Sequence, residues 1–528
     1  MKRSALLVAW LACALLVKAQ EASTLVARGG AAARSDRHAE AVKYYEQAIR
    51  VDPGARSAVL PKLGRQYLWS NQPAKAAQLL ADRLQSHPAD CDARLDFALA
   101  LSWAGRLSKS SEAYRQAARA CPGRKMEARL GEARVLRWRG QPGKAEAIYR
   151  EVLRAGQPSQ RQDARLGMAL DSLALDSNRQ AQQMLAQLIG EGSRDPAAYE
   201  GEAVSTLRLG LPDRAAACLK RARQAGVRSR PLDDLEEHIQ GVDRLTLSSS
   251  FTGFQDADGT RYRKAEVAGA LGWRMRGRAE TSVGVSRLQS EGHVIDGRWG
   301  GLAIEQRFSE SWALRAEGRL AEYLGAGFRP WTGELDAGWT PRDGSRVDLA
   351  AARLVIADNM AALRHHLQGN FTSAGITQSL DRHDTVSASL DATDWNQGNL
   401  RMRYRVDFAH HFEAVPGLEI EWPTLYQTYD RGFSFALFSP RDYIETGPAL
   451  DWRRRWRRHY SLSLYARLGE QNEFQASWKK LGTFRAEAER ELYKAWGVRL
   501  DAFWSSSDLA SPTGFRRRSG SLSLTRKF

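Results

Sequence analysis

Two patterns of apolar and polar residues divide this chain. Up to about residue 241 apolar side chains recur at helical spacing, and that spacing itself repeats every 34 to 36 residues. Small residues stand at Ala41, Ala76, Ser110, Ala145, Ala181 and Ala215. Four positions after each comes a large one: Tyr45, Leu80, Tyr114, Tyr149, Leu185 and Leu219. Twelve positions before each comes another small one: Gly29, Gly64, Ala98, Ala133, Ala169 and Ala203. Pro53, Pro88 and Pro122 close the first three units. A small residue in each helix admits its neighbour and the large residue fills the gap, so the pattern predicts six helix pairs on one continuous core. Leu232 to Gly241 reads as a capping helix.

These positions are similar to those of the tetratricopeptide repeat family, over roughly 220 residues, and the resemblance implies a concave α-solenoid. Near residue 243 the helical period gives way to strict alternation. Leu314, Ala316, Gly318 and Leu320 oppose Arg315, Glu317 and Arg319; Leu400, Met402, Tyr404, Val406 and Phe408 oppose Arg401, Arg403, Arg405 and Asp407. Trp496, Val498, Leu500, Ala502 and Trp504 oppose Gly497, Arg499, Asp501 and Ser505, with Phe503 an exception. Such strands suit a soluble sandwich or a membrane barrel, and three features favour the barrel. The segments run about 10 to 14 residues, enough to cross a bilayer when tilted. Aromatic residues cluster toward segment ends, at Trp273, Trp299, Trp312, Trp331, Trp339 and Tyr460. Tight connections such as Arg342-Asp343-Gly344 alternate with longer ones, of which Gln289 to Arg298 and Ala357 to Asn370 are two. The expected fold is therefore an α-solenoid followed by an antiparallel transmembrane β-barrel of about sixteen strands. An even count leaves both barrel ends on the inner side. The chain ends on Phe528, which resembles the assembly signal of Gram-negative outer-membrane proteins.

Composition narrows the classes. The 528 residues exceed one ordinary core, and 16 Trp, 15 Tyr and 16 Phe exclude a disordered chain. A mean hydropathy of −0.49 and 26 % charged residues argue against a helical membrane protein. Lys2 and Arg3, the apolar stretch Ala5 to Val17 and the small residues of Val17-Lys18-Ala19 form the layout of a secretory signal peptide. The expected organisation is a leader over 1–19, a periplasmic solenoid over 20–241 and a barrel over 243–528. Cys13 raises the alternative of a lipoprotein anchor, in a poor context for lipid attachment. Export makes nucleic acid an improbable partner despite the net charge of +17. Cys91, Cys121 and Cys218 then remain; the odd number argues against a disulfide framework, while one Cys91–Cys121 bridge fits an oxidising compartment.

No catalytic or cofactor motif is present: no Gly-x-Ser-x-Gly, His-Glu-x-x-His, Cys-x-x-Cys or Gly-x-Gly-x-x-Gly. No enzyme, metal or cofactor is therefore expected. His365-His366 and His410-His411 are adjacent pairs, which strands would point to opposite faces. Arg453 to His459 reads as a barrel rim at a short inner turn, or as a polymer-binding collar. Trp69, Trp103 and Trp138 recur near the end of the first helix of repeats two, three and four. They pack a corner between helices or present a row of rings to a glycan or a partner. With the apolar faces toward lipid, the lumen holds Arg315, Glu317, Arg319, Arg401, Arg403, Arg405, Asp407, Arg485, Glu487, Glu489, Arg499 and Asp501. Such a wall is hydrated, mixed in sign and suited to polar solutes or a sugar polymer.

A leader, these repeats and a C-terminal barrel in one chain resemble exopolysaccharide export proteins, namely the outer-membrane export component family of cellulose synthase and the poly-N-acetylglucosamine export porins. Phe438-Ser439-Pro440-Arg441-Asp442-Tyr443 resembles a barrel segment of the cellulose-export type. Those exporters generally carry more repeats; the YaiO-like outer-membrane barrels are nearer in size. The resemblance implies a passive conduit for a polysaccharide polymer, seated in outer-membrane lipid, whose repeats recruit a periplasmic synthase or modifying protein. The alternatives are a non-conducting scaffold or surface receptor and, with least support, an outer-membrane enzyme.

Overall fold

The computed structural model describes all residues except 1, 413–414, 433–437, 457–459, 474–475, 494, 513 and 515, with side chains from residue 17 onward, Tyr493 apart. Its two compact units are Met1–Ala174 and Leu175–Phe528. The helical pattern thus ends at Gly241, but the last helices belong to the same compact unit as the strands.

The first unit contains α1 (Lys2–Arg34), α2 (His38–Val51), α3 (Arg56–Trp69), α4 (Pro73–Ser86), α5 (Cys91–Trp103), α6 (Leu107–Ala120), α7 (Lys125–Trp138), α8 (Pro142–Ala155) and α9 (Pro158–Ala174). The expected leader is the first part of α1. Ala41, Ala76, Ser110 and Ala145 are fully buried, as are Ala98 and Ala133. The one hydroxyl in this series is satisfied, since Ser110 Oγ donates to the Ala98 carbonyl at 2.6 Å. Close approach also governs Gly131 and Gly167. A Cβ on either would stand 2.3 Å from the ring of Tyr114 or Tyr149, so only glycine admits the large residue there. Cys91 at the start of α5 and Cys121 at the end of α6 form a disulfide that closes their helical hairpin.

The second unit opens with α10 (Asn178–Gly190), α11 (Pro196–Arg208), α12 (Pro212–Gln224) and α13 (Arg230–Gln240), the cap expected from Leu232 onward. The strands follow: β1 (Thr246–Asp256), β2 (Arg261–Trp273), β3 (Gly277–Ser290), β4 (His293–Arg307), β5 (Trp312–Leu324), β6 (Trp331–Arg342) and β7 (Ser345–Val355). After the short helix α14 (Met360–Arg364) come β8 (Gln368–Ser379), β9 (Asp384–Trp395), β10 (Asn399–His411), β11 (Leu418–Tyr429), β12 (Asp442–Thr446) and β13 (Ala449–Trp456). The last four are β14 (Tyr460–Glu473), β15 (Lys479–Tyr493), β16 (Trp496–Ser505) and β17 (Arg517–Lys527). Apart from β12 and β13, each pairs antiparallel with its sequence neighbour, and β1 pairs with β17 from Thr246–Lys527 to Asp256–Arg517, which closes the sheet.

Seventeen strands make sixteen staves, because β12 and β13 are halves of one stave, both paired to β11 and β14. The interruption lies at Gly447-Pro448. Gly447 has φ 144°, and a Cβ there would meet the Gly469 backbone at 2.4 Å, so two glycines allow the close approach. Each stave exposes a large apolar side chain on its outer face, from Phe251 on β1 to Leu522 on β17. Arg526 also points outward, its guanidinium 5.2 Å from the Trp496 ring and 4.5 Å from that of Phe528. A closed sixteen-stave barrel with an apolar exterior is the architecture of outer-membrane barrels.

Two expectations change. The β3–β4 connection is not a long link but a turn at Glu291-Gly292, both at positive φ. Trp299 is no girdle residue: it is buried on the inner face of β4 and donates to Glu266 at 3.2 Å. Of the basic run, Arg453 to Trp456 complete β13, and 457–459 lie outside the described residues.

Candidate functional site: the barrel lumen

Alternation places the charged residues of each strand opposite the exposed apolar belt, on the inner face. The twelve expected lining positions occupy three arcs of that wall. On β5, Glu317 accepts from Arg315 at 2.7 Å and from Arg319 at 3.1 Å. On β15 and β16, Arg485 pairs with Asp501 at 2.7 Å, and Arg499 bridges Glu487 and Glu489 at 3.3 and 3.2 Å. The third arc spans β9 to β11, where Arg401 donates to Thr393 at 2.7 Å and Arg403 to Gln427 at 2.9 Å. Charges on the inward face thus meet opposite charges or polar groups on the same or a neighbouring stave, so the wall stays polar without a large unbalanced field.

Arg405 and Asp407 border a recess of about 390 Å³ in the third arc, together with Glu421, Glu445, Tyr465 and Arg467. Sequence reading missed the last four. Glu445 and Arg467 form a buried pair at 2.8 Å, with side chains only 10 % and 9 % exposed. Burial on that scale needs further hydrogen bonds to offset desolvation. Arg467 also donates to the Pro423 carbonyl at 2.9 Å, and Glu445 accepts from Ser507 at 2.6 Å and from Tyr443 at 3.1 Å. The signal was present as Glu445 and Arg467 within strand-like segments, but nothing in their spacing shows that they face each other. Tyr443, the last residue of the exporter-like segment, therefore supports the buried pair.

At the end of the lumen away from the short turns, apolar and aromatic inner positions join the charged Asp256 and Arg517: Tyr262, Leu288, Ile295, Tyr323, Trp395 and Tyr429. The β7–β8 connection, residues 356–367 with α14 at its middle, packs among them. Leu363 joins Leu288, Ile295 and Tyr323 on one side, while Ala362 and Leu367 join Trp395 and Tyr429 on the other. Asp358 reaches Arg517 on β17 at 2.8 Å. Seven staves lie between β17 and β8 in either direction, so this segment reaches across the lumen. His365 and His366 stand here rather than in a strand; His366 stacks on Phe328 at 4.7 Å. His410 pairs with Asp384 at 2.7 Å on β9. Among the described residues no group of three His, Cys, Asp or Glu is placed to hold a metal.

The short-turn end carries a second set of contacts, with the helices of the same unit. Arg179 of α10 donates to the Glu310 carbonyl at 3.0 Å and to Ser311 at 3.1 Å in the β4–β5 turn. The amide at the same residue donates to Asp343 of the β6–β7 turn at 2.9 Å. Asp213 of α12 takes a two-pronged bond from Arg276 in the β2–β3 turn, at 2.8 and 2.6 Å. That guanidinium holds the Asp213 carboxyl below the usual carboxylate range. Asp243 accepts from the Met275 amide at 3.0 Å. Helices α10 to α13 are thus docked on three successive short turns.

In the first unit Trp69, Trp103 and Trp138 end α3, α5 and α7 and are all half-exposed. Trp69 and Trp103 meet edge to face at 5.4 Å, and His38 flanks Trp69 at 6.1 Å.

No protein-family model matches the chain, and no curated protein is similar in sequence. Among solved structures it is similar to a bacterial polysaccharide outer membrane secretin, with 14 % identity, 54 % of this chain and 99 % of that one covered, and a TM-score of 0.44. A tetratricopeptide repeat protein from Parabacteroides merdae shares 20 % identity over 42 % of this chain and 86 % of its own, with a TM-score of 0.36. CdiB from Acinetobacter baumannii shares 9 % over 53 % and 60 %, at 0.35. Likenesses this distant leave the fold to be read from the strands and helices themselves.

Proposed function

We propose that the barrel is an outer-membrane conduit for an exopolysaccharide and that the helical repeats are a periplasmic scaffold that brings a synthase or modifying protein to it. One observation carries the reading: a closed sixteen-stave barrel turns apolar side chains outward and mutually paired charges inward. A barrel of that size encloses an aqueous passage unless loops fill it. A hydrated sugar chain exchanges hydrogen bonds with such a wall at little cost, whereas apolar cargo gains nothing from it. Residues 1–19 act as the export leader in this reading, and the Cys91–Cys121 bridge suits an oxidising periplasm. The docking of α10 to α13 on the short turns supports a periplasmic place for the repeats, because short turns face the periplasm in such barrels. Trp69, Trp103 and Trp138 are the surface offered to the partner.

A specific observation also favours the second reading, a scaffold or receptor that does not conduct: residues 356–367 pack against inner positions on two sides of the barrel. Single-channel recording in planar bilayers, with short neutral and charged glycans, separates the two. A conductance blocked by one glycan class supports export. A lumen that no glycan and no loop change opens leaves the scaffold reading, with the repeats as the working part.

A further inference from the structure

We propose that residues 356–367 are a strap that shuts the outer end of the barrel, and that the ion pair between Asp358 and Arg517 is its releasable latch. The inference rests on the reading of the barrel as a conduit and adds how that conduit is held closed. The strap leaves β7, reaches Arg517 of β17 through Asp358 and returns to β8, with Leu363 and Leu367 fully buried on the return. It keeps its shape by itself: the Asn359 side chain accepts from the Ala362 amide at 2.7 Å, and the Leu367 amide closes on the Ala362 carbonyl at 2.8 Å. A segment with its own turn moves as a body rather than unravelling.

The latch is asymmetric. Arg517 is held from two directions, by Asp256 on the wall at 2.7 and 2.8 Å and by Asp358 on the strap at 2.8 Å. Its guanidinium also lies 3.7 Å from the centre of the Phe254 ring. Asp256 is 2 % exposed at its side chain and Asp358 28 %. When Asp358 leaves, Arg517 keeps its bidentate partner and its ring, and Asp358 turns toward water. No buried charge is stranded, which is the usual obstacle to breaking such a pair. The opposite substitution, at Arg517, strands Asp256 and threatens the barrel itself.

The test uses the full-length protein in planar bilayers. Asp358→Ala removes the latch and leaves the Arg517–Asp256 pair; a second variant replaces 358–367 by a short Gly/Ser link. The wild type is expected to be closed most of the time. Loss of a charged hydrogen bond raises the open-to-closed ratio of Asp358→Ala roughly tenfold, and the linked variant stays open. Heat-modifiable gel migration establishes that each variant is folded. A folded linked variant with wild-type conductance overturns the strap. An open linked variant beside an inert Asp358→Ala overturns the latch. Variants that open but whose currents no neutral or charged glycan alters uphold the strap and remove polysaccharide export as its purpose. Glycan block that is identical in wild type and both variants upholds the conduit and removes the strap.

Discussion

The helical repeats and the barrel use the same apolar residues with opposite results. In the repeats, Tyr45, Leu80, Tyr114 and Tyr149 are sealed between helices by small neighbours. In the barrel, Val283, Leu320 and Leu500 are more than half exposed, while Glu445 and Arg467 are buried. The driving force is the same in both, removal of apolar surface from water; only what stands on the other side differs. A helix pair meets another helix. A stave meets lipid on one side and a wet lumen on the other. Exposure in the isolated chain therefore measures tolerance to change in the repeats and not in the barrel.

Four substitutions probe that contrast. The largest effect is expected in the repeats: Tyr149→Ala empties a fully buried site beside Gly167 and costs about 3–5 kcal/mol. Urea titration followed by the helical far-ultraviolet signal reads it. Next, Val283→Arg on the outer face of β3, at a position 62 % exposed, costs about 2–4 kcal/mol in a bilayer, by folding titration into lipid vesicles. Trp103→Ala, also exposed, shifts stability by no more than about 0.5 kcal/mol. Equal costs for Val283→Arg and Trp103→Ala would remove lipid from the outer face. The smallest effect is at the docked helices. The Asp213 carboxyl is lowered by Arg276, so its contribution is full above the usual carboxylate range and is lost as pH falls through the lowered value. Hydrogen exchange in α12 and α13 is expected to quicken below that pH, and Asp213→Asn to flatten the profile. An unchanged profile would show that other contacts hold these helices.

Much of this was legible in the residues. The series Ala41 to Ala215 marks every helix pair because close helix packing admits only small side chains at fixed spacing. Alternation around Arg315, Arg401 and Arg499 separates the two faces of the strands because a strand repeats every two residues. Trp299 misled because an aromatic residue in a strand reads the same whether it faces lipid or lumen. Its face follows from the register that the tight Glu291-Gly292 hairpin imposes, in which Ser290 pairs with His293 and Gly284 with Trp299.

The local periods, a strand count of about sixteen and the polar character of one strand face all depend on neighbours in the chain, and the residues alone made them legible. Tertiary structure decided that β12 and β13 share a stave, that Glu445 meets Arg467, that α10 to α13 dock on the short turns and that residues 356–367 cross the lumen to Arg517. Each of these joins residues far apart in sequence, and the partner that satisfies a charge or covers an apolar side chain is chosen only when the barrel closes.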